Sequence, residues 1–376
     1  MNIVSVVSTK PTVDEAIKDI KNQLGDFDVK LLVFFSSSSF DLDSLSLLMQ
    51  RAFEDAVVFG CSTAGEITSG DMLTKSIVAM AFNSSIIEEC KIEVLENISD
   101  NPDVNNAFDS FEKYYNDNLY TMDMTKYVGI ILIDGLSMME ESVMDLIGDR
   151  TNVTFIGGSA GDDLKFSKTY VFANGKAYNN AALLALLKIN DTAEFGIIKT
   201  QSFEVLDHVL TASKVDEKNR QVIEFNNEPA VNAYAKAVGA SSPEHISKYF
   251  MTNPVGLPIG EDDIYVRSPQ SIIGNTMRFY CNILEGMEVK LLKSTNILED
   301  TKRSIESKVK EFGSIEGIIN FHCILRTLEL QKENTTKQYG EIFKDIPTIG
   351  FSTYGEEYIG HINQTSTMLV FKSKKT

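Results

Sequence analysis

One short phrase recurs three times in this chain of 376 residues, and it restricts the fold more than any other feature. Gly60-Cys-Ser-Thr-Ala-Gly-Glu66 returns as Gly350-Phe-Ser-Thr-Tyr-Gly-Glu356, with a variant, Gly157-Gly-Ser-Ala-Gly-Asp162, between them. Each phrase follows an apolar run rich in β-branched or aromatic residues, at 30–35, 127–133 and 317–321. Such runs read as strands buried on both faces. Between run and phrase the first two copies carry a helical pattern. In the first, Leu42, Leu45, Leu48, Met49, Ala52, Phe53 and Ala56 follow Asp41, an expected N-cap. In the second, Ser137 and Glu140 have capping-box spacing ahead of Val143, Leu146 and Ile147. The third, 328–343, reads as polar helix or loop. After each phrase the chain turns apolar again, at 76–82, at 169–172 with 181–187, and at 367–371.

The repeating unit is therefore strand, helix, glycine-rich turn, strand. Crossovers of this kind join parallel strands and build layered α/β structures. The expected fold class is α/β: duplicated strand-helix-strand units forming mixed sheets flanked by helices, in two closely packed halves. Around the repeats, Thr12-x-x-Glu15 opens a helix closed by Gly25. Residues 229–238 and 300–312 read as helices ending at Gly239 and Gly313, and 202–225 as two strands joined at 216–219. The dense proline and glycine of 253–268 reads as an ordered loop. A domain boundary is expected near residue 200, giving 1–199 and 200–376.

Charge excludes some functions. Lysine plus arginine against aspartate plus glutamate gives 35 − 53 = −18, the wrong sign for binding nucleic acid or anionic lipid. No apolar run approaches the roughly 20 residues of a spanning helix, and the N-terminus lacks the pattern of a secretory signal. The four cysteines, Cys61, Cys90, Cys281 and Cys323, form no C-x-x-C pair, which points to the reducing cytoplasm and no disulfide framework.

Several side chains bear chemistry. The phrases bring small residues, hydroxyls and free N–H groups to a turn, where they either hold the turn or bind an anion such as a carboxylate. Gly157-Gly-Ser159-Ala-Gly161 also matches the G-x-S-x-G nucleophile elbow of serine hydrolases. That elbow needs a helix directly after it, and 162–168 does not read as one, which leaves an esterase-like role for Ser159 as the weaker alternative. Arg326 closes an apolar run, so its guanidinium needs a carboxylate, either Glu356 or Glu341 of this chain or one from a ligand. Arg267 poses the same question. The histidines, His208, His245, His322 and His361, show no zinc spacing; each is either an ordinary hydrogen-bonded histidine or an axial haem ligand.

Together the segments resemble FIST proteins, with FIST-N and FIST-C regions. The first half carries Val58-Phe-Gly-Cys-Ser-Thr-Ala-Gly-Glu-Ile67, Phe155-Ile-Gly-Gly-Ser-Ala-Gly-Asp-Asp163 and Val171-Phe-Ala-Asn-Gly175. The second carries Tyr265-Val-Arg267, Phe321-His-Cys-Ile-Leu-Arg326, Gly350-Phe-Ser-Thr-Tyr-Gly-Glu356 and His361-Ile-Asn-Gln-Thr365. The resemblance implies an intracellular, non-catalytic sensory protein that binds a small ligand, amino acids being the family's general proposal, and regulates a signalling partner such as a histidine kinase. With no residues left for an output domain, the expectation is a stand-alone sensor acting in trans. Val266-Arg-Ser-Pro-Gln270 and 354–371 are also similar to haem-binding, nitric-oxide-sensing FIST proteins, although His322 stands where a small polar residue is expected. The expected ligand-binding set is Arg267, Cys323, Arg326, Ser352, Thr353, Glu356, His361 and Asn363. If haem is the cofactor, His361 is the expected iron ligand, with His245 and His322 as alternatives.

Overall fold

The computed structural model describes residues 1–260 and 263–374. The chain forms two compact units. The first takes Met1–Lys199, Lys302–Gly360 and the chain from Ser366 onward; the second takes Thr200–Thr301 and His361–Thr365.

The first unit is built from three copies of one motif. Copy one runs β1 (Ile3–Ser8), α1 (Val13–Leu24), β2 (Leu31–Ser37), α2 (Leu42–Ala52), β3 (Val57–Thr63), the hairpin β4 (Glu66–Thr68) and β5 (Asp71–Leu73), then β6 (Ile77–Phe82). Copy two repeats the order as β7 (Ile87–Glu96), α3 (Asn105–Tyr115), β8 (Tyr127–Ile133), α4 (Glu140–Gly148), β9 (Phe155–Ser159), the hairpin β10 (Val171–Ala173) and β11 (Lys176–Tyr178), and β12 (Ala181–Ile189). Copy three opens with β13 (Ala193–Gln201) and is then interrupted by the second unit.

That insertion contains β14 (Phe203–Asp216), β15 (Gln221–Phe225), β16 (Glu228–Pro229), α5 (Ala230–Ala237), β17 (Val255–Ile259), β18 (Asp263–Arg267), β19 (Pro269–Ile273), β20 (Thr276–Phe279) and β21 (Glu288–Ser294). Its strands form one sheet in the order β18-β17-β21-β14-β15-β20-β19, with β16 on β15. Tyr234 of α5 lies in its apolar core with Phe225 and Phe279. Copy three resumes with α6 (Ile297–Phe312), β22 (Gly317–Cys323), α7 (Ile324–Lys332), α8 (Thr336–Glu341), β23 (Thr348–Thr353), β24 (Glu356–Tyr358), β25 (His361–Ile362) and β26 (Thr365–Ser373).

The three copies trade hairpins in a ring. In each, the two central strands are parallel (β2 with β3, β8 with β9, β22 with β23), and the closing strand runs antiparallel to the first of them. The hairpin following each phrase then pairs with another copy. β4 joins β23, β10 joins β3, and β24 joins β9. Three sheets result, each completed by a neighbour's strand. Their inner faces share one core in which Phe35, Ile130, Phe321 and Phe351 are all buried. The outer faces of the first two sheets are covered by their own helices, α1 with α2 and α3 with α4. The strands are thus apolar on both faces because both faces are covered.

This arrangement explains the phrase. Its first glycine sits opposite a residue of the parallel neighbour: Gly60 by Phe34, Gly157 by Ile131, Gly350 by Asn320. A Cβ there would lie 1.7, 1.7 and 2.4 Å from those residues' carbonyl oxygens, far inside contact distance. The second position differs among copies for a packing reason. Phe351 fills the centre, 4.5 Å from the Phe35 ring, and Gly158 leaves it room, since a Cβ there would meet Phe351 Cζ at 3.2 Å and Thr353 Cγ2 at 2.6 Å.

The helices start where cap chemistry allows. Thr12 and Asp41 accept from the N–H groups of Glu15 and Ser44, as their spacing predicts. Ser137 does not cap α4; its hydroxyl donates to the Asp134 carbonyl and accepts from Met139 N–H, and the helix begins at Glu140. The polar 328–343 segment is helical, split between α7 and α8. The turn-rich 253–268 is not a loop but the hairpin β17–β18, paired from Val255–Arg267 to Ile259–Asp263; Glu261 and Asp262 lie outside the described residues. A single cut near residue 200 does not separate the compact units, because β22, β23 and β26 pair among themselves and β23 takes β4 of copy one.

Alanine at Gly60 or Gly157 is expected to destabilise the protein by about 3 kcal/mol or more. Gly148, whose Cβ would meet nothing within 4 Å, is expected to tolerate alanine or gain up to about 1 kcal/mol. Urea unfolding of the three variants tests this; equal effects at all three sites would contradict it.

Candidate functional site

In open α/β sheets, ligands bind beyond the carboxyl ends of parallel strands, where helix N-termini and loops converge. The first unit has three such ends, one per copy, laced together by backbone hydrogen bonds. Gly161 and Asp163 N–H donate to the carbonyls of Ser62 and Thr63, Ser352 N–H to Gly65, and Ser159 N–H to Gly355.

The three ends share a plan but differ in chemistry. In copy one, Thr63 donates to Glu66 Oε1, while Ser76 donates to Oε2 from its N–H at 3.1 Å and its hydroxyl at 2.6 Å. Copy three repeats the pair, with Thr353 Oγ1 donating to Glu356 Oε1 at 2.7 Å. Copy two uses its acid to shape a loop. Asp162 accepts from the N–H groups of Phe166, Ser167 and Lys168 and from the Tyr354 hydroxyl at 2.6 Å. Burial pushes the Asp162 carboxyl up, but these donors outweigh it and hold it below the ordinary aspartate value.

Copy three alone among these ends places a guanidinium. Arg326 lies in the first turn of α7, not at the end of a strand, and is 1% exposed. Counting from the residue opposite the phrase's first glycine (Phe34, Ile131 and Asn320), the matching positions are Phe40 in copy one and Ser137 in copy two. Beside it, Thr327 Oγ1 and Ser352 Oγ lie 2.7 Å apart, joining α7 to β23. The His322 ring lies tilted against Tyr339, centroids 4.5 Å apart, with its Nδ1 2.9 Å from the Tyr339 hydroxyl. Burial, then the charge of Arg326, holds its imidazole well below the ordinary histidine value, so it is neutral.

Residues 30–228 match the FIST N domain and residues 230–358 the FIST C domain. The chain belongs to the FIST family. It is also 21% identical, over 328 residues, to an uncharacterized protein of Methanocaldococcus jannaschii; the match covers 82% of this chain and spans 63% of that relative's length. FIST domains are associated with signal transduction and small-ligand sensing. The two FIST regions meet inside the second unit, at 228–230, so the FIST C region takes in most of the insertion together with copy three from α6 to β24.

The eight residues expected at a FIST ligand site fall into two sets. Cys323, Arg326, Ser352, Thr353 and Glu356 belong to the first unit and cluster at the carboxyl ends of β22 and β23, all buried. Arg267, His361 and Asn363 belong to the second. There Arg267 donates from Nε to the Asn282 carbonyl at 3.0 Å and from Nη1 to that of His361 at 3.1 Å. Cys281 Sγ lies 2.9 Å from Asn363 Oδ1. Sequence reasoning missed Thr327 and Cys281; Thr327 was signalled only by its place beside Arg326, and nothing signalled Cys281.

The histidines test the haem expectation. His322 is fully buried, with Nδ1 2.9 Å from the Tyr339 hydroxyl and Nε2 without a hydrogen-bond partner, and it lines none of four clefts of about 270–540 Å³. His245 is exposed on a short 3₁₀ turn. His361 is buried and lines none of these four clefts. Among the described residues no cluster of three or more histidine, cysteine or acidic side chains could hold a metal ion. Ser159 does not make an elbow. It is fully buried, donates to Glu357 Oε1 at 2.9 Å, and leads into a loop. No helix among the described residues is long and apolar enough to cross a membrane.

Burial raises the Glu66 carboxyl from the ordinary 4.5 to about 7, against the opposing donors Ser76 and Thr63. The folded state therefore keeps a proton that the unfolded chain releases, and stability falls as pH rises between about 4.5 and 7. Glu66→Gln is expected to flatten that slope in pH-dependent thermal unfolding; an unchanged slope would contradict the assignment.

Proposed function

We propose that this FIST protein is a regulatory module that binds a small carboxylate ligand at the carboxyl end of β22 and β23 and signals to a protein partner. The observation that carries the reading is the break in the threefold pattern. Where copies one and two have Phe40 and Ser137, copy three has a buried arginine. A scaffold that closes without a cation at two of its ends does not need one at the third. A guanidinium in the first turn of a helix, with the hydroxyls of Thr327, Ser352 and Thr353 nearby, suits a carboxylate by charge and by paired N–H donors. Free amino acids are the ligand class we favour.

The module binds its ligand without turning it over. The groups are closed off from solvent in this conformation, so entry requires local opening, and the ligand-filled closed state is what a partner such as a histidine kinase reads. We assign that work to the cytoplasm, because four buried free thiols suit a reducing compartment.

Thermal-shift titration against the free amino acids tests this. At least one is expected to raise the melting temperature saturably. Arg326→Lys, which keeps the charge but not the fork, is expected to keep a cooperative transition and weaken binding about tenfold or more. A panel without effect, or equal binding by the lysine variant, would contradict the proposal.

A further inference from the structure

The ring of exchanged hairpins has three tips, and they do not close equally. The first tip, at Ser69 and Gly70, is clamped to copy three. Gly70 N–H donates to the Gly340 carbonyl, Lys337 Nζ donates to the Gly70 carbonyl at 2.7 Å, and a Cβ on Gly340 of α8 would lie 2.4 Å from the Asp71 backbone. The second, at Asn174 and Gly175, packs on α2, where a Cβ on Gly175 would meet Gln50 and Leu47 at 3.4 and 3.6 Å. The third, at Ile359 and Gly360, stands over α4 across a cleft of about 540 Å³. Gly148, at the end of α4, faces open space there.

Two local choices at this cleft work against folding. Ile359 takes φ +52°, the same left-handed conformation as Asn174 in the second tip. Asparagine adopts it readily, whereas a β-branched side chain is strained there. Ile359 is nevertheless 68% exposed, so burial does not compensate it. The second choice is charge. Asp145 and Asp149 line the cleft at the carboxyl end of α4, whose last turn holds no basic residue. The helix dipole is negative at that end and favours cations, so aspartates there are unfavourable. Partial burial, then Glu141 and Asp149, raise the Asp145 carboxyl above its ordinary value. The adjacent cation, Arg150, is turned away, with Nη2 3.0 Å from Asp109 and its guanidinium over the Phe108 ring.

An apolar rim and an acidic floor, each opposed by local stability, converge on the one tip left open. From this we infer that the cleft between α4 and the Ile359–Gly360 tip is a docking site for a partner polypeptide presenting an arginine or lysine next to an apolar side chain. The basic group meets Asp145, Asp149 and the helix carbonyls, and the apolar one packs on Ile359. Acidic and doubly apolar segments are excluded by the charge of the floor. This site is separate from the carboxylate site of copy three and does not depend on it, so loss of amino-acid binding leaves this inference standing and the reverse.

The test uses the full chain and fluorescently labelled hexapeptides carrying Leu-Arg, Leu-Lys, Leu-Glu or Leu-Leu at their centre, followed by anisotropy. The Leu-Arg and Leu-Lys peptides are expected to bind saturably, and the other two not. The D145N/D149N double variant and Ile359→Asn are each expected to weaken binding about tenfold or more, with melting temperatures equal to or above that of the parent. A control pair of exposed acids on the second unit, D207N with E285Q, is expected to change binding less than about twofold. The inference is overturned if no basic peptide saturates, if the control pair weakens binding as much as the cleft pair, or if the cleft variants lose the fold. Arginine amide binding as tightly as the peptide would also overturn it, by assigning the cleft to a small organic cation.

Discussion

The fold depends on how closely three pairs of parallel strands approach each other. At Gly60, Gly157 and Gly350 the neighbouring backbone comes so near that no side chain fits. That approach lets each phrase turn out of its own sheet and send its hairpin into the next. The exchange makes every copy incomplete alone, so the first unit closes only when all three are present, including the one whose chain is interrupted by about a hundred residues. A discontinuous unit of this kind is held by strand pairing and a shared apolar core, and the insertion leaves from a point, after β13, that the ring does not use.

A threefold scaffold also supplies its own control. Features common to the three copies, the phrase glycine and the apolar strands, belong to folding, while the hydroxyl-to-carboxylate pairs Thr63–Glu66 and Thr353–Glu356 are shared by copies one and three only. Features that break the pattern need another cause. Phe351 and Gly158 break it together and compensate each other in the core. Arg326 breaks it with a charge where the siblings have Phe40 and Ser137, and Ile359 and the aspartates at the end of α4 break it at a hairpin tip. These departures lie at different places in the unit, one at a strand carboxyl end and one at a hairpin tip, which suits a protein that receives one signal and passes on another.

Much of this was legible in the sequence. The repeated phrase, the doubly buried strands and the caps Thr12 and Asp41 are local signals, and local chemistry decides them. The hairpin exchange was not legible, because three-residue strands such as β4, β10 and β24 carry too little pattern and their partners lie a hundred or more residues away. The 253–268 hairpin was misread because glycine and proline dominate its composition, while its pairing is set by neighbours distant in the chain. Arg326 was singled out as a charge beside an apolar run, yet its helical setting depends on where β22 ends. The expected site residues were grouped by chain order, and the two compact units divide them differently.

The central claim is that copy three, and not its siblings, has been turned into a ligand site. Hydrogen exchange followed by mass spectrometry, with and without a saturating amino acid, tests it most directly. The account predicts new protection concentrated at 322–328 and 350–357, with the matching ends at 36–41 and 133–138 unchanged. Protection at those sibling ends instead, or saturable binding that leaves 322–328 unaffected, would contradict it.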